Sequence, residues 1–177
     1  MPDETDFIQE VGSLVKELTD LGHQPILIGG MALVTLGSRR VTRDFDFILS
    51  KPSEDLKELV EIFYRKGLEL ASRINDNGDI VSTIDNPKVA AARLEIDSPA
   101  SAYFLNPKTG LRIDLLFDFP IPAAELAKQA KKTKIQSYHF YIASKDDLIR
   151  LKEIALSKRS FPGDEQDLIF LKKRQKK

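Results

Sequence analysis

The chain has 177 residues, 42% of them hydrophobic, enough for one domain or for a compact core with a helical extension. Its 27 basic and 27 acidic side chains cancel, so the chain as a whole is not the strongly basic surface of a dedicated nucleic-acid binder. The absence of cysteine removes disulfides, thiolate zinc sites and cysteine nucleophiles together.

The first residues, M-P-D-E-T-D, are acidic where a secretory signal would be basic and then apolar. No apolar run reaches the ~18–20 residues of a membrane span. A soluble, cytoplasmic protein is the expectation. Phe7, Val11, Leu14, Leu18 and Leu21 recur at helical spacing, and Gly22 ends that amphipathic helix. Residues 25–28 read as a short buried strand. A helix follows from Met31 to Leu36 with Gly29 and Gly30 in its first turn, and Gly37 stops it. Asp44 to Leu49 alternates polar and apolar residues, the period of a strand.

Ser53 reads as an N-cap with Glu54 and Asp55 in the first turn. Leu56, Leu59, Val60 and Phe63 make the apolar face of that helix, ended by Gly67. Residues 68–98 give weaker signals: a turn at 75–79, a strand over 80–84 and a short helix over 87–93. Asn106-Pro107-Lys108-Thr109-Gly110 joins two strands, 103–105 and 111–117, as a hairpin, with Asp114 in the second strand. A helix is expected over 122–130 and a final strand over 138–143. Ser144 caps a helix containing Leu148, Leu151 and Ile154, and Asp164 opens the last one. The basic end, 172–177, reads as a frayed terminus. Mixed strands and helices with a helical end give an α+β chain: a core over 1–143 and a C-terminal helical segment over 144–177 packed on it.

The chemistry concentrates between Ile26 and Leu49. Asp44 and Asp46 alternate on one strand, so both point the same way with Cα atoms ~7 Å apart. Carboxylates fixed side by side repel unless a cation lies between them, and magnesium suits such an oxygen-rich, partly hydrated site. A lone D-x-D is also an ordinary solvated strand face. The Gly29-Gly30 turn just before it offers backbone N–H groups to a phosphate. Asp114, between Ile113 and Leu115, is either a solvent-facing strand position or a third ligand. No G-x-x-x-x-G-K-[ST] or G-x-S-x-G occurs, and His23 and His139 lack a neighbouring zinc ligand.

Ile28-Gly29-Gly30, then Asp44-Phe45-Asp46-Phe47, then Ile113-Asp114-Leu115 resembles the nucleotidyltransferase superfamily related to DNA polymerase beta. Arg40, Thr42, Asp44 and Asp46, as R-x-T-x-D-x-D, narrow the resemblance to the AbiEii-type and the lincosamide or aminoglycoside adenylyltransferase-like branches. Asp147 to Lys152 and Asp164 to Leu168 are also similar to that group. The resemblance implies a mixed β-sheet flanked by helices. It implies transfer of a nucleoside monophosphate from an NTP such as ATP to a hydroxyl, with release of pyrophosphate. Asp44, Asp46 and Asp114 would be catalytic: Asp44 and Asp46 would ligate two magnesium ions, with manganese as a substitute, and Asp114 would ligate one of them and act as general base. Gly29 and Gly30 would hold the β- and γ-phosphates. Arg40, Thr42, Arg43 and Lys152 would add nucleotide contacts.

The acceptor stays open among a small molecule such as an antibiotic, a tRNA end, a protein hydroxyl and a second nucleotide. It is expected between residues 68–98 and the C-terminal helices. Arg39, Arg40 and Arg43 with the basic tail suit a short RNA. The competing reading is a binding protein that keeps the fold without catalysis, such as a toxin-antitoxin component with a partner protein, or a regulatory pseudoenzyme.

Overall fold

A computed structural model describes residues 4–39, 44–158 and 162–175. Its elements, in chain order, are α1 (Glu4–Asp20), β1 (Ile26–Ile28), α2 (Gly29–Thr35), β2 (Asp44–Leu49), α3 (Leu56–Arg65), β3 (Glu69–Ile74), β4 (Ile80–Ile84), α4 (Pro87–Asp97), β5 (Ser101–Leu105), β6 (Arg112–Phe117), α5 (Ala123–Ala127), β7 (Lys131–Ile135), β8 (Tyr138–Ile142), α6 (Lys145–Lys158) and α7 (Pro162–Gln175). The strands form one mixed sheet in the order β4-β3-β5-β6-β2-β1-β8-β7. β2 runs parallel to β6 and β1 parallel to β8, while the other neighbours are antiparallel. The α+β expectation of a mixed sheet flanked by helices is met.

Strand alternation divides the central sheet into two faces. Phe45, Phe47, Ile113, Leu115, Ala102 and Phe104 are buried on one of them. Phe63 of α3 stacks on Phe104 with ring centroids 4.1 Å apart, so α3 covers that face. α1 packs beside α3 and on β8, sinking Phe7, Val11, Leu14 and Leu18 into the core. Burying each such side chain contributes ~1.5–3 kcal/mol. The alternate residues, Asp44, Asp46, Arg112, Asp114 and Tyr103, occupy the other face.

Several local expectations are corrected. α3 starts at Leu56 with Asp55, not Ser53, at its N-cap, and no side chain caps it. The Asp55 carboxylate is instead drawn 2.8 Å from His23 Nε2. The weakly read 68–98 stretch holds β3, hidden by a bulge that breaks its alternation near Ala71 and Arg73. It also holds the expected β4 and a helix, α4, that runs on to Asp97. Asn86 caps α4 by accepting from the Lys88 and Val89 N–H groups. α5 is shorter than 122–130, and turn bonds from Gln129 and Ala130 to the Leu126 carbonyl carry the chain on to β7 at Lys131. β7, K-K-T-K-I, carries no strand signal in the sequence because an edge strand need not be apolar, and lysines discourage further pairing there. α7 continues through Gln175, so 172–175 are helical rather than frayed.

α6 and α7 lie against each other, and Leu148, Ile149, Leu151 and Leu171 join the same hydrophobic core as the sheet. Ser144 Oγ accepts from the Asp147 N–H at 3.1 Å, the cap expected for α6. Among the described residues no helix is long and apolar enough to cross a membrane.

Candidate active site

The parallel pairing of β2 with β6 sets Asp46 directly beside Asp114 and Asp44 beside Arg112. Opposite residues on neighbouring strands share a face, so two distant segments place their carboxylates together. β1 then sets Ile28 beside Asp46, and the chain turns at Gly29 into α2. Gly29 has φ +71°, and a Cβ there would collide with the Asp46 carboxylate. Glycine is required twice over, by the backbone and by the close approach. Gly30 is buried behind it. Ile28, the cap residue of α2, offers no side-chain acceptor to the first-turn N–H groups.

These residues open on a cleft of about 530 Å3 between the sheet and α6. Asp46, Asp114, Arg112 and Gly29 form one part of its lining. Ile74 and Gly78 of the β3–β4 hairpin, Tyr103, Leu116 and Phe119 form another. Leu151, Lys152 and Ala155 close it from α6. It therefore runs between the 68–98 region and the C-terminal helices.

Asp46 is the electrostatic focus. Its pKa is pushed up to about 7, first by burial, then by the charges of Asp114 and Asp44 and a hydrogen bond with Asp114, while Lys152 opposes the rise. Arg112 answers the acids: Nε donates to Asp114 Oδ1 at 2.8 Å and Nη2 to Oδ2 at 3.3 Å. Burial alone would lower the Arg112 pKa, but the bonded Asp114 and the charges of Asp44 and Asp46 raise it.

Lys152 reaches the cleft but is engaged from behind, 3.0 Å from Asp164 Oδ1 and 2.9 Å from Asp167 Oδ2. Asp44 is exposed at the start of β2. Arg40, Thr42 and Arg43 lie outside the described residues. Arg112 was not singled out from the sequence. Its signal was present: R-I-D puts Arg112 and Asp114 two apart, on one face of a strand.

The donor set fits a cation in part. Asp46 and Asp114 are adjacent carboxyls, one holding its proton against the other's charge, and a divalent ion would relieve that repulsion. Among the described residues no group of three acidic or histidine side chains is close enough to hold one ion. Asp44 does not join the pair in this arrangement, and Arg112 already holds Asp114.

No protein-family model and no curated protein sequence matches the chain. Solved structures do. An antigenic nucleotidyltransferase-like protein from Paracoccidioides brasiliensis is similar with a TM-score of 0.62 at 14% identity, over 95% of this chain and 76% of that one. The lincomycin-bound lincosamide antibiotic adenylyltransferase LnuA is similar at 0.58 and 11% identity, over 93% and 95% of the two chains. The antibiotic-resistance factor ANT(2'')-Ia is similar at 0.60 and 14% identity, over 96% and 84%. At these identities the likeness establishes the fold, which is nucleotidyltransferase-like.

Proposed function

We propose that this chain, with its nucleotidyltransferase-like fold, moves a nucleoside monophosphate from an NTP to a hydroxyl of an acceptor and releases pyrophosphate. The observation that carries the reading is the Asp46–Asp114 pair, set beside the Gly29 turn at the floor of a cleft. A divalent cation at that pair would neutralise phosphate charge and polarise the reacting phosphorus, and magnesium is the ion such oxygen ligands favour. Asp46 and Asp114 would hold it, with Asp44 joining once the nucleotide is bound.

The N–H groups of Gly29 and Gly30 hold the terminal phosphates, since α2 brings no side-chain cap of its own to them. Asp114 takes the proton of the attacking hydroxyl. Lys152, fixed by Asp164 and Asp167, presents positive potential from the opposite wall. Arg40, Thr42 and Arg43 precede β2 in the chain and add contacts to the nucleotide. The apolar wall around Ile74, Tyr103 and Phe119 offers an acceptor a surface to pack on. Residues 1–143 form the catalytic core and 144–177 the helical wall, and a cytoplasmic setting supplies the NTP.

The test is incubation with isotopically labelled ATP or GTP, magnesium and cell extract, read by mass spectrometry of small molecules, tRNA and proteins. A labelled nucleotide adduct that disappears with Asp46→Asn supports the reading. No adduct, together with a melting temperature unmoved by magnesium and ATP, overturns it.

One observation favours a second reading. Arg112 occupies both oxygens of Asp114, as in a site that has exchanged metal for an internal cation. A non-catalytic binding protein, such as a toxin-antitoxin component or a regulatory pseudoenzyme, would bind nucleotide equally with and without magnesium.

A further inference from the structure

The distal half of the β3–β4 hairpin projects beyond the sheet. β3 pairs with β5 at Glu69 and Leu70, whereas Arg73 and Ile74 pair with β4 alone. The turn at 75–79 is exposed, and its bonds from Asn75, Gly78 and Asp79 stay within the turn. Among the described residues, the hydrogen bond that ties it to the rest of the molecule is Arg112 Nη1 to the Gly78 carbonyl, at 2.6 Å. The same guanidinium gives its other two nitrogens to Asp114 and lies 5.2 Å from the Tyr103 ring centroid.

We propose that Arg112 is a positioning residue that couples the Asp114 carboxylate to the hairpin tip, so that the charge at the acid sets the wall of the cleft. A guanidinium is suited to this because its donors are fixed in one plane, so a shift toward one acceptor moves it from the other. Arg112 and Asp114 side chains are 18% and 15% exposed, so solvent screens the link little. The functional meaning rests on the reading of Asp114 as a catalytic base and cation ligand. A cation arriving at Asp114 weakens its hold on Arg112 and frees the hairpin beside Ile74 and Gly78, while an acceptor pressing on the hairpin reorients Asp114.

The test is amide hydrogen exchange of the full chain, without ligand, for wild type, Arg112→Gln, Arg112→Lys, Asp114→Asn and the double variant Arg112→Gln/Asp114→Asn. Losing a charge-assisted bond corresponds to about a tenfold rise in exchange or more. Arg112→Gln is expected to speed exchange over 74–80 about tenfold and to leave the amides of β1 and β2 unchanged, with Arg112→Lys intermediate. Asp114→Asn, at the other end of the link, is expected to reproduce part of that rise, and the double variant to add nothing to Arg112→Gln. A merely structural Arg112–Gly78 bond would not respond to Asp114→Asn. Wild-type exchange of 74–80 in Arg112→Gln or in Asp114→Asn, or additive effects in the double variant, overturns the coupling. The measurement needs no nucleotide, so failure to detect transfer would sink the proposed function and leave this result standing.

Discussion

Gly29 lies against the carboxylate of Asp46 so closely that a Cβ at residue 29 would clash with its Oδ2. The turn that opens α2 and the acid on β2 therefore fix one another. Gly29→Ala forces a residue with a Cβ into φ +71° and displaces Asp46 together. The backbone conformation alone costs ~1–2 kcal/mol. Transfer activity is expected to fall about a hundredfold, the scale of a 1 Å misplacement. A melting curve and a labelled-transfer assay check both. Activity close to wild type would show that the approach does not matter to the site.

Asp46 makes stability fall as pH rises. Its folded pKa of about 7 stands above its ordinary 3.8, so between those values the folded chain keeps a proton that the unfolded chain releases. The contribution is fully present below pH ~4, is lost as pH climbs to about 7, and is level above that. Asp46→Asn is expected to raise the melting temperature relative to wild type at pH 8, with the two converging near pH 4, while abolishing transfer. Parallel melting curves across pH 4–8 would refute the assignment.

Lys152 sits between two acids of α7 on one side and the cleft on the other. Lys152→Met leaves Asp164 and Asp167 without the lysine's charge, and breaking a buried pair costs ~3–5 kcal/mol. The same change removes the charge that holds the Asp46 pKa down, so Asp46 should titrate still higher. Denaturant unfolding and a carboxyl-carbon NMR titration read the two effects separately. An unaltered unfolding midpoint would mean that the triad does not join α6 to α7.

Gly12 marks where α1 meets β8. A Cβ at residue 12 would overlap the Tyr138 ring, so Gly12→Ala gains helix propensity but must move the ring. Propensity offers ~1 kcal/mol, and overpacking takes ~1–3, so net destabilisation is expected. Gly12→Ala with Tyr138→Ala, which removes the overlapping ring, should recover part of the loss. A more stable single variant would mean that the helix shifts freely on the sheet.

The segment from Ile26 to Leu49 was legible because its information is local. A strand, a glycine turn and an alternating D-x-D each declare themselves within a few residues. The helices α1 and α3 were legible for the same reason, through their apolar period. β7 was not, because an edge strand of lysines has no buried face to pattern. β3 was not, because its bulge breaks the alternation. Ser53 looked like a cap because local chemistry favours it, but His23 lies beside Asp55 and the helix starts later.

The sequence by itself determined the strands and helices that carry a plain apolar period, and that acids and glycines of the right kind stand on them. Side-chain period and turn chemistry act over a few residues, and they are written in the order of the chain. Only the tertiary structure decided that β2 pairs in parallel with β6. That pairing places Asp46 against Asp114 and Asp44 beside Arg112, while the neighbouring order of β3, β5 and β6 brings Gly78 of the least legible region to the Arg112 guanidinium. Parallel pairing across a long crossover is set by how the whole sheet buries its apolar face, a property no single stretch of the chain contains.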